Sequence, residues 1–199
     1  MDETVLRAMA KWPNVPAVYG WLALDRRGNW LIQRETIGNA ALNAFISRNY
    51  LHDGAGCWYF QNGPQQVFVD LDYTPFVYRV TNDLNAPLAL ATHLGDAVNT
   101  LHGAWIDEHG ALLIHTDRGI GLLHDQYLDP LLLASIIDAN GNVIEEAVFD
   151  ELVEVIEHQQ AIPLWLKFRD SNVRLEPIQR ADVPKRFGYN PHPAPTTAQ

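Results

Sequence analysis

The chain has 199 residues, 47% hydrophobic and 19% charged, with 14 Lys and Arg against 24 Asp and Glu and a formal net charge of −10. That composition builds a buried core, as one domain or two small ones, and excludes a disordered chain. The acidic balance, with no local run of Lys or Arg, disfavours nucleic acid as a partner.

A single cysteine, Cys57, cannot form an internal disulfide and fits a reducing compartment. No apolar run approaches the ~20 residues of a membrane-spanning helix. The Met-Asp-Glu start carries neither the basic nor the long apolar segment of a signal peptide. A cytoplasmic protein with no membrane partner is expected.

Val5, Leu6, Met9 and Trp12 recur at helical spacing in Asp2–Trp12, with Asp2 as a cap and Pro13 as a stop. Residues 12–19 read as an extended linker. YGWLAL and NWLIQ form a hairpin around Asp25-Arg26-Arg27-Gly28, because Asp bonds its own backbone and Gly tolerates positive φ. Asn39 caps a helix with a Leu42, Phe45, Ile46 stripe extended by Tyr50, and His52–Gly56 is a loop. Asn62-Gly63 marks a second hairpin between CWYFQ and QQVFVDLD. In the latter, Val67, Val69 and Leu71 face one way and Phe68, Asp70 and Asp72 the other. Thr74-Pro75 breaks that strand, and Phe76, Tyr78 and Val80 alternate in the next.

Residues 82–87 form the best candidate boundary. PLALATHLG then reads as a strand, AWI and ALLIHT as a hairpin around Asp107 and Gly110, and IGLLH as another strand. LDPLLLASI fits a helix by its Asp129-Pro130 start and a strand by its length. A third Asp-x-x-Gly, Asp138 to Gly141, leads into EEAVFDELVEVIEH, a helix with a Val148, Leu152, Val155, Ile156 stripe. IPLWLKF and NVRLEPI close with a hairpin at Asp170-Ser171. From Ala181 the Pro-rich tail is expected to be flexible.

In order along the chain stand Asp25-Arg26-Arg27-Gly28-Asn29-Trp30, Thr36-Ile37 before a helix, and Val69-Asp70-Leu71-Asp72-Tyr73-Thr74-Pro75-Phe76. Thr92-His93-Leu94-Gly95-Asp96 and Glu146-Ala147-Val148-Phe149-Asp150-Glu151-Leu152-Val153 follow. From Gly20 to Phe168 this order resembles the bacterial DUF1285 family, with Thr36 and Thr74 replacing that family's Pro and Ala. The resemblance implies an α+β protein of two related units that recognises a ligand or protein, with a proposed place in signalling. It carries over no catalytic residue, and it favours strand for LDPLLLASI.

The chemical motifs are sparse. Counted from Asp138 as a calcium loop, position 6 is Val143 and position 12 is Phe149, so Asp138–Asn142 reads as a turn. His93, His102, His109, His115 and His124 lack the spacing of a zinc site, although His115-Thr116-Asp117 and His124-Asp125 could converge across strands. No serine lies in G-x-S-x-G, and no nucleotide-binding glycine motif is present. Cys57 reads as a buried strand residue rather than a nucleophile. Asp70 and Asp72 suit acid–base work only if a cleft separates their pKa values, and otherwise mark the wet face of a sheet. A surplus of the local aromatics on that open face would make a binding patch.

The expected fold is α+β: two small related units of mainly antiparallel sheet, each with a helix packed on one face. Residues 1–17 form the N-terminal helix and linker, 18–85 the first unit, 86–180 the second and 181–199 the tail. The expected function is a non-catalytic module recognising a small molecule or a protein, with homo-oligomerisation left open. The alternative is a small-molecule hydrolase or metal-binding enzyme using the central Asp/His set. No cofactor, metal or catalytic residue is assigned. The candidate ligand-binding residues are Asp72, Tyr73, His93 and Asp96, where strands end at the boundary between the units.

Overall fold

Asp-x-x-Gly turns punctuate the chain in a computed structural model, which describes residues 1–12, 15–81, 87–124, 134–144 and 163–195. One carboxylate oxygen of Asp25, Asp107 and Asp138 accepts the backbone N–H groups two and four residues on, at 2.7–3.0 Å. Each closing glycine has positive φ, as at Gly28 (79°) and Gly110 (75°), where a Cβ would be strained. Asp53 does the same for Ala55 and Cys57, so the expected loop at His52–Gly56 is a fourth turn of this kind.

Two compact units result. The first comprises Met1–Pro75 with the chain from Pro184 onward, and the second Phe76–Val183. In the first, helix α1 (Glu3–Lys11) is followed by strands β1 (Val18–Leu24), β2 (Trp30–Ile32) and β3 (Glu35–Thr36). Helix α2 (Ala40–Arg48) and strands β4 (Tyr50–His52), β5 (Trp58–Asn62) and β6 (Gln65–Leu71) complete it. The sheet order is β3-β2-β1-β6-β5-β4, antiparallel except for the β1–β6 pair.

The second unit holds β7 (Phe76–Val80), β8 (Leu90–Thr92), β9 (Leu101–Asp107), β10 (Leu112–Thr116) and β11 (Gly119–Leu123). β12 (Ile136–Ile137), β13 (Trp165–Phe168) and β14 (Ser171–Ile178) follow, in the order β12-β13-β14-β9-β10-β11-β7-β8. The β14–β9 and β11–β7 pairs are parallel. The short helix Val183–Phe187 spans the division between the units. The expected helix over EEAVFDELVEVIEH and most of LDPLLLASI lie outside the described residues; β12 holds Ile136 and Ile137.

The two sheets repeat one another in register. Leu22↔Ile32 and Leu24↔Trp30 in the first hairpin correspond to Ala104↔Ile114 and Ile106↔Leu112 in the second. The parallel pairs Leu22↔Val69 and Leu24↔Leu71 correspond to Ala104↔Leu175 and Ile106↔Pro177. The closing hairpins match too, Asn62↔Gln65 with Phe168↔Ser171. The β7–β8 hairpin is the addition at one edge of the second copy. The expected α+β fold of two related, mainly antiparallel units is therefore present.

Four local expectations change. β7 pairs with β11 in the second sheet, because Phe76, Val77, Tyr78 and Val80 are all buried and need cover on both faces. Asp2 does not cap α1 with its side chain; its carboxylate turns to Arg48 Nε at 3.2 Å. Of the α1 stripe Val5 alone is buried, while Leu6 and Trp12 are about half exposed. The tail is ordered as far as it is described: Tyr189 is buried and donates its hydroxyl to the Tyr73 carbonyl, and Leu71 N donates to the Pro191 carbonyl.

Candidate functional site

Strand alternation puts Leu22, Ile32, Phe60 and Val67 on one face of the first sheet. Helix α2 lies on this face. Asn39 Oδ1 caps it by accepting from Ala41 and Leu42 N–H, as expected, and Trp30 Nε1 donates to Ser47 Oγ at 3.1 Å. Phe45 meets Phe60 edge to face at 5.4 Å between ring centroids. Yet of α2 only Ile46 is fully buried, and Leu42 and Phe45 stay half open.

Between helix and sheet lies a pocket of about 510 Å³, with Leu42, Phe45 and Ile46 on one side and the four strand residues on the other. That volume is within the range of small-molecule sites, about 300–1,000 Å³. Its edge is completed by Val18, Trp21, Asn62 and Gln65. Trp21 and Leu22 are consecutive yet both line it. The β1–β6 register slips between Val18 and Leu22, at Gly20 with φ 69°, and this bulge brings the indole to the same face. Trp21 is 54% exposed, which is unusual for so large an apolar side chain.

Among the described residues, none lining the pocket is charged. The polar groups are two carboxamides. Gln65 Nε2 donates to the Pro16 carbonyl at 3.2 Å, which leaves its oxygen to accept. Asn62 is exposed at the hairpin end. The equivalent positions of the second sheet carry Phe168, 1% exposed, and Ser171. The polar edge thus belongs to the first copy and is not a requirement of the fold.

The four residues singled out from the sequence form two pairs, one in each unit. Asp72 lies just past the end of β6, ion-paired with Arg34, and Tyr73 beside it is buried with the Arg26 guanidinium 5.3 Å from its ring centroid. His93 and Asp96 share the turn after β8, where Thr92 Oγ1 accepts from Leu94 and Asp96 N–H. His93 Nδ1 accepts from Val77 N–H at 3.3 Å, and its ring lies 6.1 Å from that of Phe76. The residue as a whole is half-buried. Desolvation of the imidazole, with the Arg79 charge second, pushes its pKa down to about 3.

A histidine neutral in the folded state and titrating near 6.5 when unfolded binds fewer protons folded than unfolded between these values. Stability is therefore complete above pH 6.5 and is lost as pH falls toward 3. The drop in melting temperature between pH 7 and pH 4.5 should be smaller in His93→Gln than in the parent. An equal drop in both would contradict a buried neutral His93.

Other motifs resolve locally. His102 and His115 bring their rings to 5.5 Å; burial first, then His102, lowers the His115 pKa. Among the described residues no group of three or more His, Cys, Asp or Glu is placed to hold a metal. Cys57, expected to be buried in a strand, is only half-buried. It bridges to Asn190 just before β5, and burial followed by the Asp53 charge raises its pKa. On the opposite sheet face the buried Phe68 stacks on Tyr19 at 4.6 Å and leans on Tyr59 at 5.7 Å. The pocket residues were readable in the sequence only as core. Gly20-Trp21 inside an apolar strand was the available signal, since a glycine there marks a bulge.

Residues 1–194 match the model of the family DUF2944, described as "Protein of unknown function (DUF2946)". Among solved structures the chain is similar to a crystal structure of a DUF1285 family protein from Silicibacter pomeroyi DSS-3. Identity there is 18% and the TM-score 0.51, over 83% of this chain and 85% of that one. It is also similar to a DUF1285 family protein from Shewanella baltica OS155, at 14% identity and TM-score 0.40 over 54% of this chain and 87% of that one. The first likeness bears out, at the level of fold, the resemblance carried by the sequence motifs. No curated protein matches. Among the described residues no helix is long and apolar enough to cross a membrane.

Proposed function

We infer that this chain, which belongs to the DUF2944 family, is a recognition module that binds a small, largely apolar molecule between α2 and the first sheet. The pocket itself carries the reading: about 510 Å³ bounded by aliphatic and aromatic side chains, with two carboxamides at its edge. Sites of this kind gain affinity from apolar burial and orientation from a few polar groups. The half-open Leu42 and Phe45 and the exposed Trp21 are apolar groups that a bound molecule would cover. A place in signalling would follow if occupancy shifts α2, whose packing is incomplete without a guest. Asp72 with Tyr73 in the first unit, and His93 with Asp96 in the second, are two further, separate proposed ligand positions, each supported by its place at a strand end.

A neutral apolar fluorescent dye such as N-phenyl-1-naphthylamine should bind the folded protein with one-to-one stoichiometry and quench Trp21. Val67→Trp, which fills the pocket from the strand side, should weaken that binding at least tenfold, which is about 1.4 kcal/mol. Its melting temperature should fall by no more than a few degrees, because the added ring enters open space. Dye binding unchanged in Val67→Trp would refute the pocket as the site.

A further inference from the structure

The edge of the pocket says which ligands it would select, given the reading above on which this step rests. Apolar burial alone cannot discriminate among molecules of one size; the polar groups at the edge do that. Here they are Asn62 and Gln65, both uncharged, and no Lys, Arg or His lines the pocket among the described residues. An anionic head would lose its hydration and find no cation, within a chain of net charge −10. A cationic head would find no carboxylate. Gln65 spends one of its two donors on the Pro16 carbonyl and keeps its oxygen free to accept. Asn62, at the hairpin end and exposed to solvent, offers two donors and an acceptor.

We propose that the site takes a neutral-headed amphiphile: an apolar chain or ring lying against Leu22, Phe45, Phe60 and Val67, and an uncharged head that both donates and accepts, such as a primary amide or an alcohol, held by Asn62 and Gln65. The bulged Trp21 closes over the apolar part. The second copy of the fold, with Phe168 and Ser171 in place of the two carboxamides, has no such head site.

The test is calorimetric titration of the full chain with octanamide, 1-octanol, octanoate and octylamine, which share one chain and differ in the head. Octanamide and 1-octanol should bind, with the two ions at least about tenfold weaker. Asn62→Ala should reduce octanamide binding several-fold and bring the four probes closer together. Asn62→Lys should reverse the order and make octanoate the best of the set. Octanoate binding as tightly as octanamide to the parent, or an octanamide affinity indifferent to Asn62→Ala, overturns the neutral-head assignment while leaving the apolar pocket in place. Failure of all four probes to bind removes the pocket reading together with this one. A stable dimer by light scattering that separates in Leu42→Asp would put a second copy over the pocket and overturn both.

Discussion

Gly56→Ala is expected to lower the stability of the first unit by at least about 3 kcal/mol, the range of a strained backbone combined with a steric clash. Gly56 has φ 81°, where a Cβ is strained before any neighbour is considered. The added Cβ would also sit 2.3 Å from the Gly188 carbonyl oxygen and 3.1 Å from Tyr189 Cα. These are backbone atoms that cannot swing aside like a side-chain tip. The C-terminal segment is held here by the Asn190 N–H bond to the Gly56 carbonyl, the Leu71 N–H bond to Pro191 and the Tyr189 hydroxyl bond to Tyr73. Urea unfolding measures the loss. Hydrogen exchange should locate it, with the Leu71 and Asn190 amides losing protection first. Gly54→Ala, two residues away with nothing within 4 Å of its Cβ, is the control and should be close to neutral. Equal effects at the two positions would refute docking of the tail on the Asp53 turn.

The other large effect is expected at Tyr78, which is fully buried in β7. Its hydroxyl donates to the Gly119 carbonyl at 2.8 Å, so the contact with Thr116 Oγ1, also 2.8 Å, must use the threonine hydrogen. Thr116 Oγ1 in turn accepts from Arg118 N–H. Burial, the largest influence, pushes the phenol pKa up. The ring lies over Gly121 so closely that a Cβ there would come within 2.3 Å of Tyr78 Cε2; the strand has a glycine because the tyrosine occupies that space. Tyr78→Ala removes the ring and both hydrogen bonds and should cost about 3–5 kcal/mol, as aromatic truncations in a packed core do. Tyr78→Phe keeps the ring and strands the Thr116 hydroxyl, for a loss of roughly 1–2 kcal/mol. The gap between the two variants measures packing against hydrogen bonding at the β7–β11 pair. Equal losses would show that the ring contributes nothing there.

The alternating patterns of β6 and β7 identified strands but left their partners open. Both sheets reuse one register, and the sequence showed this only as a shared succession of hairpin, strands and closing strands. The pocket was harder to see. Leu42, Phe45 and Ile46 fit a helix covering a sheet, and nothing in their spacing tells a filled interface from one with room for a guest. Whether α2 sits down on the sheet depends on Phe60, Val67 and the β1 bulge, each far from it in the chain.

What the sequence by itself determined is what a few adjacent residues control. Asp25, Asp107 and Asp138 bond their own turns, Asn39 caps α2, and the glycines accept positive φ, because the donors and acceptors lie within five positions of one another. Only the tertiary structure decided that β1 runs parallel to β6, that β7 joins β11, and that the tail returns to Tyr73 from 116 residues away. The physical reason is that strand pairing follows the burial of complementary faces. An alternating apolar strand suits many partners until the whole core has formed.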